Sequence, residues 1–258
     1  MGVLNCTPDS FSDGGHYVDV EAAVAHGLEM ARQGAAIIDV GGESTRPGAK
    51  PVSLQEELDR VIPVIRELVR QGCTVSVDTM KAEVMSQAML AGASLINDVS
   101  ALRHESNSLN IAADTGADVC LMHMLGSPEN MQQQPEYDDV VREVADFFEQ
   151  RIEHCLRAGI QESSIVLDPG IGFGKRLQDN LALIRAVSGF KKIFSMPVLL
   201  GLSRKSFLGQ LTGSPVSDHE FESAVAGGIG IVHGADLLRV HDVALQRRAI
   251  QVASALAS

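Results

Sequence analysis

Ile165-Val166-Leu167-Asp168-Pro169-Gly170-Ile171-Gly172-Phe173-Gly174-Lys175 is the stretch from which the fold can be read. Three apolar residues run into a carboxylate, a proline ends any strand, and alternating glycines open the backbone. The pattern predicts a buried strand that delivers Asp168 to a surface, followed by a loop free of side-chain bulk. The glycines do not have the spacing of a Walker phosphate loop or of a dinucleotide fingerprint, so the loop is read as one that exposes Phe173 beside a pocket.

The same grammar recurs on both sides. Val3-Leu4 leads to Asn5, and Ile37 to Val40 contains Asp39. Thr74 to Val77 ends at Asp78, and Leu95-Ile96 at Asn97-Asp98. Val119 to Met122 ends at His123, Pro197 to Leu202 at Ser203-Arg204-Lys205, and Leu237-Leu238 at Arg239-Val240-His241-Asp242. Helical periodicity fills the gaps: Val20 to Gln33, Ser53 to Gln71 with a capping-box-like start and a kinking Pro63, and Lys81 to Ala91. Further helices are expected at Leu109 to Asp114, Val140 to Ala158, Gln178 to Ser188, Glu220 to His233 and Val243 to Leu256, with Met124 to Tyr137 as loop. Gly227-Gly228-Ile229-Gly230 lowers helix propensity and predicts close packing against the sheet or another subunit. Eight strand–helix units in this length predict an α/β fold, a (β/α)8 TIM barrel forming a single domain over residues 1–258; a doubly wound open sheet is the competing architecture.

Composition narrows the function. The chain has 258 residues, is 45% hydrophobic and carries a net charge of −12. That charge argues against nucleic acid or an anionic membrane as a partner. Four scattered cysteines (Cys6, Cys73, Cys120, Cys155) read as reduced thiols of a cytoplasmic protein. No apolar run reaches the ~18 residues of a membrane span.

In a barrel all the strand-end polar residues land on one face. Asp78, Asn97 and Asp168 offer two carboxylates and an amide, suited to a flat amino-heterocycle or, alternatively, to Mg²⁺. Asp98 and Asp242 are expected as caps or supports, and His123 reads equally as a structural histidine or a site wall. Arg46, Lys205, Arg239 and His241, with the neutral ligands Asn5 and Thr45, form a candidate phosphate pocket. An ion pair with Asp168 or Asp98 is the alternative for Arg239.

At this point the residues resemble a family. Asn5 to Gly15 and the Gly-Gly-Glu-Ser-Thr-Arg-Pro core at 41–47 resemble the signatures of dihydropteroate synthases. Asp168-Pro169-Gly170, Gly172 to Lys175, Ser203 to Ser206 and Arg239 to Asp242 resemble their later strand ends. The resemblance spans the chain, departing at Asp218 to Ser223. It implies a cytoplasmic, homodimeric, Mg²⁺-dependent barrel of folate biosynthesis and a sulfonamide target. Such a transferase joins 6-hydroxymethyl-7,8-dihydropterin diphosphate to 4-aminobenzoate. It implies that Asp78, Asn97, Asp168 and Lys205 hold the pterin. Asn5, Thr45, Arg46, Arg239 and His241 would hold diphosphate, with the metal near Asn5. Pro47, Phe173, Lys205 and Ser206 would border the aminobenzoate, and Asp9 and Phe11 would close over the site with Arg46. A pterin-binding barrel that transfers a methyl group from a folate to a corrinoid protein is one rival, disfavoured by Arg46, Arg239, His241 and Ser203-Arg204-Lys205; a silent scaffold barrel is the other, disfavoured by the retention of Lys205, Arg239, Asp78 and Asp168.

Overall fold

A computed structural model describes residues 1–7, 16–44, 51–127, 130–215 and 219–257. Eight parallel strands alternate with helices. They are β1 (Gly2–Asn5), β2 (Ile38–Gly41), β3 (Val75–Asp78), β4 (Leu95–Asp98), β5 (Asp118–Met122), β6 (Ile165–Asp168), β7 (Leu199–Gly201) and β8 (Leu237–Arg239). Strands β1 to β6 form one continuous sheet and β7 pairs with β8. Two single-residue bridges join these pieces, Leu167 with Val198 and Gly2 with Val240, so the ring closes. Around it lie α1 (His16–Gln33), α2 (Leu54–Arg70), α3 (Ala82–Leu90), α4 (Ser108–Thr115), α5 (Val140–Arg157), α6 (Leu177–Arg185), α7 (Val187–Phe194), α8 (Ser206–Thr212), α9 (Glu220–Val232) and α10 (Val243–Ala257). The expected TIM barrel is present.

Strand alternation sorts the side chains into two sets. Ile38, Val40, Val75, Val77, Ile96, Val119, Leu121, Ile165 and Leu167 point outward and join the core beneath the helices. The intervening residues point inward. Leu95, Cys120, Val166 and Leu199 form an apolar layer inside the barrel. One pleat further along the same strands stand Asn97, Met122, Asp168 and Gly201, which line a cavity. The short apolar runs are therefore buried on both faces; polar inward residues stand at the last inward positions and, one pleat deeper, at the mutually hydrogen-bonded Asp39 and Ser76.

Local signals act where the sequence placed them. Ser53 caps α2 by accepting from the Glu56 N–H, and α2 continues unbroken through Pro63. Asp139 caps α5 by accepting from Val141 and Arg142 N–H. The Asp242 carboxylate accepts from the Leu245 N–H, as expected for a cap. A Cβ on Gly227 would lie 2.4 Å from the Gln246 amide of α10, and one on Gly230 would lie 2.9 Å from Leu200 of β7. The glycine-rich stretch thus lets α9 approach both its neighbour helix and the sheet. The expected helix at Gln178 to Ser188 is instead two helices that meet at Ala186, whose N–H closes α6 while its C=O accepts from Gly189 and Phe190. Val187 and Phe190 anchor the second by burial, at a helical spacing that Gly189 and the paired lysines obscure.

Phe148 is fully buried on α5 and meets Phe190 and Phe194 edge-on, at 5.6 and 5.9 Å between centroids. Phe148→Ala is expected to lower unfolding free energy by about 3–5 kcal/mol, measured by urea denaturation; a loss under about 1 kcal/mol would mean that this cluster does not anchor α5 and α7.

Candidate active site

The cavity at the C-terminal mouth of the barrel has a volume of about 510 Å³. Of the residues picked out by sequence, Asn5, Asp78, Asn97, Asp168, Phe173, Lys205, Ser206, Arg239 and His241 all line it. Asp9, Phe11, Thr45, Arg46 and Pro47 lie outside the described residues.

The floor is an ion-pair network. The Arg239 guanidinium donates from Nε to Asp39 Oδ2 and from Nη2 to Asp78 Oδ2, both at 2.6 Å. Its partners are therefore Asp39 and Asp78, not Asp168 or Asp98. Asp39 is fully buried and also accepts from Ser76 Oγ at 2.6 Å and Asn97 Nδ2 at 3.0 Å. One carboxylate thus ties β2, β3, β4 and β8 together. It also holds the Asn97 amide with its nitrogen on Asp39, which leaves Oδ1 to accept from a ligand. Burial pushes the Asp78 carboxyl up to about 7 against the pull of Arg239. Burial lowers the Arg239 pKa, but Asp39 and Asp78 more than offset this, and the net shift is upward. Burial raises Asp168 too, while its Oδ1 accepts from the Gly170 N–H at 2.7 Å and Lys205 and Lys175 favour its charged form.

The rim is cationic and aromatic. Lys205 precedes α8, and its Nζ lies 3.9 Å from the centroid of the Phe173 ring. The Ser203 hydroxyl shares a hydrogen bond with His241 Nδ1 at 2.9 Å and accepts from the His241 N–H at 3.2 Å, joining the ends of β7 and β8. Asp98 turns away from the cavity: its carboxylate accepts from the Ser100 N–H and hydroxyl and from the Leu102 N–H, supporting the loop after β4 as expected.

The loop after β6 is held without bulk. Gly170 has φ +68°, and a Cβ there would sit 1.9 Å from the His123 carbonyl oxygen. Gly172 has φ +82° and faces the Lys205 stem. His123 is buried and does not line the cavity; its ring meets Phe147 edge-on at 4.9 Å. It is a structural histidine, and burial together with the Lys175 charge pushes it down to about 3.

Sequence reasoning missed three features. Asp39 reads from sequence only as a strand carboxylate; its position two residues before the end of β2 marks it as inward-facing. Glu43 lines the cavity and pairs with Lys81, which also pairs with the buried Glu57. Lys175 is buried, although lysines are seldom so. Among the described residues, no three His, Cys, Asp or Glu side chains come together as a metal site.

Parallel barrel, carboxylate–amide floor and cationic rim define a pocket for a polar flat ring joined to an anion. The family model of pterin-binding enzymes matches residues 1–241. The chain belongs to that family. Within it, the relatives are dihydropteroate synthases. That of Escherichia coli strain K12 is 47% identical, over all of this chain and 91% of its own. The Yersinia pestis enzyme, solved with a sulfonamide drug complex, superposes with a TM-score of 0.93 at 47% identity, covering 99% of this chain and 93% of its own. The Xanthomonas albilineans enzyme, solved in complex with 7,8-dihydropteroate, gives a TM-score of 0.89 at 46% identity, covering 99% of this chain and 92% of its own.

The pKa of His123 has a consequence for stability. The unfolded ring titrates near ~6.5 and the folded one near 3, so between these values the unfolded state binds more protons. Stability is held above the higher value and lost as pH falls through the window. His123→Gln keeps an acceptor for Lys175 but does not titrate. Relative to this variant, the native chain is expected to lose about 2 kcal/mol between pH 7 and pH 5 in urea titrations, whereas a pH-independent difference would mean that His123 charges freely in the fold.

Proposed function

We infer that this chain is a dihydropteroate synthase: it condenses 6-hydroxymethyl-7,8-dihydropterin diphosphate with 4-aminobenzoate, releasing diphosphate, in folate biosynthesis. The observation that carries the reading is the juxtaposition, in one cavity, of Asp78, Asn97, Asp168 and Arg239 on the floor with Lys205 and His241 at the rim. Ring N–H and exocyclic amine groups of a pterin donate; the carboxylates and Asn97 Oδ1 accept. A diphosphate needs cations in an otherwise acidic protein, and Arg239 retains N–H groups beyond the two spent on Asp39 and Asp78.

The bond from the pterin methylene carbon to the diphosphate oxygen breaks first, and its electron pair leaves with diphosphate. The cation left on the carbon is delocalised into the ring. Asp168, its Oδ2 left for the ligand, offsets that charge, with Asp78 less effective because Arg239 neutralises it. The arylamine nitrogen then donates its lone pair to form the C–N bond and sheds a proton. No strong base and no covalent enzyme intermediate is required. Phe173, Lys205 and Ser206 border the arylamine.

Mg²⁺ fits this donor set only as a companion of the diphosphate. Asn5, which lines the cavity, would be the residue to hold the ion, in keeping with an ion that takes few protein ligands. The chemistry such an ion would supply is charge neutralisation of the leaving group. The four cysteines are free thiols, in keeping with work in the reducing cytoplasm.

A homodimer is part of the same proposal. Phe221, Val225, Ile229 and Val232 on α9 are 74%, 45%, 48% and 55% exposed, at helical spacing. Leu211 and Ile184 continue this apolar face. Such an exposed stripe suits a second copy of the chain. Phe221→Asp with Val225→Asp is expected to halve the mass seen by light scattering; an unchanged mass would move the interface elsewhere.

Incubation with both substrates and Mg²⁺ is expected to yield dihydropteroate and diphosphate in equal amounts, with loss of turnover in chelator and recovery on adding Mg²⁺. Asp168→Asn is expected to lower kcat by about 10²–10³. No product from the folded native chain would overturn the assignment.

A further inference from the structure

Lys175 is buried beneath the site, at 4% exposure, on the loop that carries Phe173. Its ammonium has three N–H bonds and meets three acceptors: His123 Nδ1 at 3.0 Å, the His123 carbonyl at 3.1 Å and the Phe173 carbonyl at 2.9 Å. Its hydrogen-bonding capacity is therefore spent on protein, and Lys175 does not line the cavity. His123 Nδ1 accepts from it, which places the imidazole proton on Nε2. Burial weakens an ammonium and here pulls it down to about 7, against the pull of Asp168. Three acceptors are what makes its burial tolerable.

The neighbouring carbonyls are held too. Gln132 Nε2 donates to Gly172 O at 2.6 Å and Tyr137 Oη donates to Gly174 O at 2.7 Å. The three successive carbonyls around Phe173 thus each have a side-chain donor. Two of those donors come from the segment after β5, and Lys175 reaches back to β5's end at His123. The Gly172 N–H donates to Asn180 Oδ1 at 2.8 Å on the other side. What this frame presents to the cavity is the Phe173 ring, capped by Lys205 Nζ.

We propose that Lys175 is a positioning residue for the second substrate, clamping the Phe173 backbone to the end of β5 so that the ring stands as the wall of the arylamine subsite. The proposal rests on the reading of Phe173 as that wall. Lys205 and Lys175 flank one phenylalanine with different duties: Lys205 caps the ring and faces the cavity, whereas Lys175 holds the main chain. The pterin floor, built from β3, β4 and β6, takes its geometry from its own strands and not from this clamp; Lys175 reaches Asp168 only through its charge, behind burial, the Gly170 hydrogen bond and Lys205.

Steady-state kinetics separate the roles. Lys175→Met keeps length and removes the charge and donors. It is expected to raise KM for 4-aminobenzoate about tenfold, with kcat and KM for the pterin diphosphate changed less than about threefold. In a Phe173→Ala background the same substitution is expected to add nothing, since the ring it positions is gone. A full additional loss in the double variant, an equal rise in both KM values, or an unchanged 4-aminobenzoate KM where Phe173→Ala alone raises it would overturn the proposal. Phe173→Ala leaving 4-aminobenzoate KM unchanged would overturn the subsite reading itself, and this inference with it. Should Lys175→Met not fold, His123→Leu removes one of the three acceptors. It is then expected to raise the 4-aminobenzoate KM about threefold and to leave the pterin KM in place, and no rise would overturn the clamp.

Discussion

The structure depends on one guanidinium placed inside a ring of strands. Arg239 stands on the last inward position of β8 and donates across the barrel to Asp39 on β2 and Asp78 on β3. Unpaired, any of these charges would be prohibitive inside the barrel. Together the guanidinium and the two carboxyl groups offset one another, and the Asn97 and Ser76 donors further satisfy Asp39. The network sets the amide orientation of Asn97, weakens Asp78 as a charge-stabilising group and so leaves Asp168 as the less neutralised carboxylate. One ion-pair network thus arranges much of the donor and acceptor pattern that a ligand meets.

Most of the fold could be read from the chain because a parallel barrel writes itself simply. Each stave is a short apolar run, and the first inward position clear of the packed interior tolerates a polar residue. That is why Asp78, Asn97, Asp168 and Arg239 stood out. Asp39 did not, because it lies one pleat deeper, within an apolar run, and its importance comes from partners on three other strands. The division between α6 and α7 was hidden because Gly189 and the paired lysines interrupt the apolar stripe of Val187 and Phe190.

Residues that act through others were the hardest to see. Lys175 in a glycine-rich loop reads as a solvated charge until His123 and the Phe173 carbonyl are found around its ammonium. The same holds for Lys81, whose two glutamate partners lie 38 and 24 positions away in sequence. Local spacing carries information on helices and caps; it carries none on which buried charges will meet.

The barrel's closure has a further implication. Its two seams, Leu167 to Val198 and Val240 to Gly2, are single bridges, and both flank the β7–β8 pair. Asp78, Asn97 and Asp168 belong to the six-stranded piece, whereas Lys205, Arg239 and His241 follow or end the two-stranded one. A ligand that touches both sets spans the seams from above, as a staple spans a joint. Its binding energy then adds to the cohesion that the Arg239 ion pairs already give across one seam, so that occupancy stabilises the closed ring by mass action.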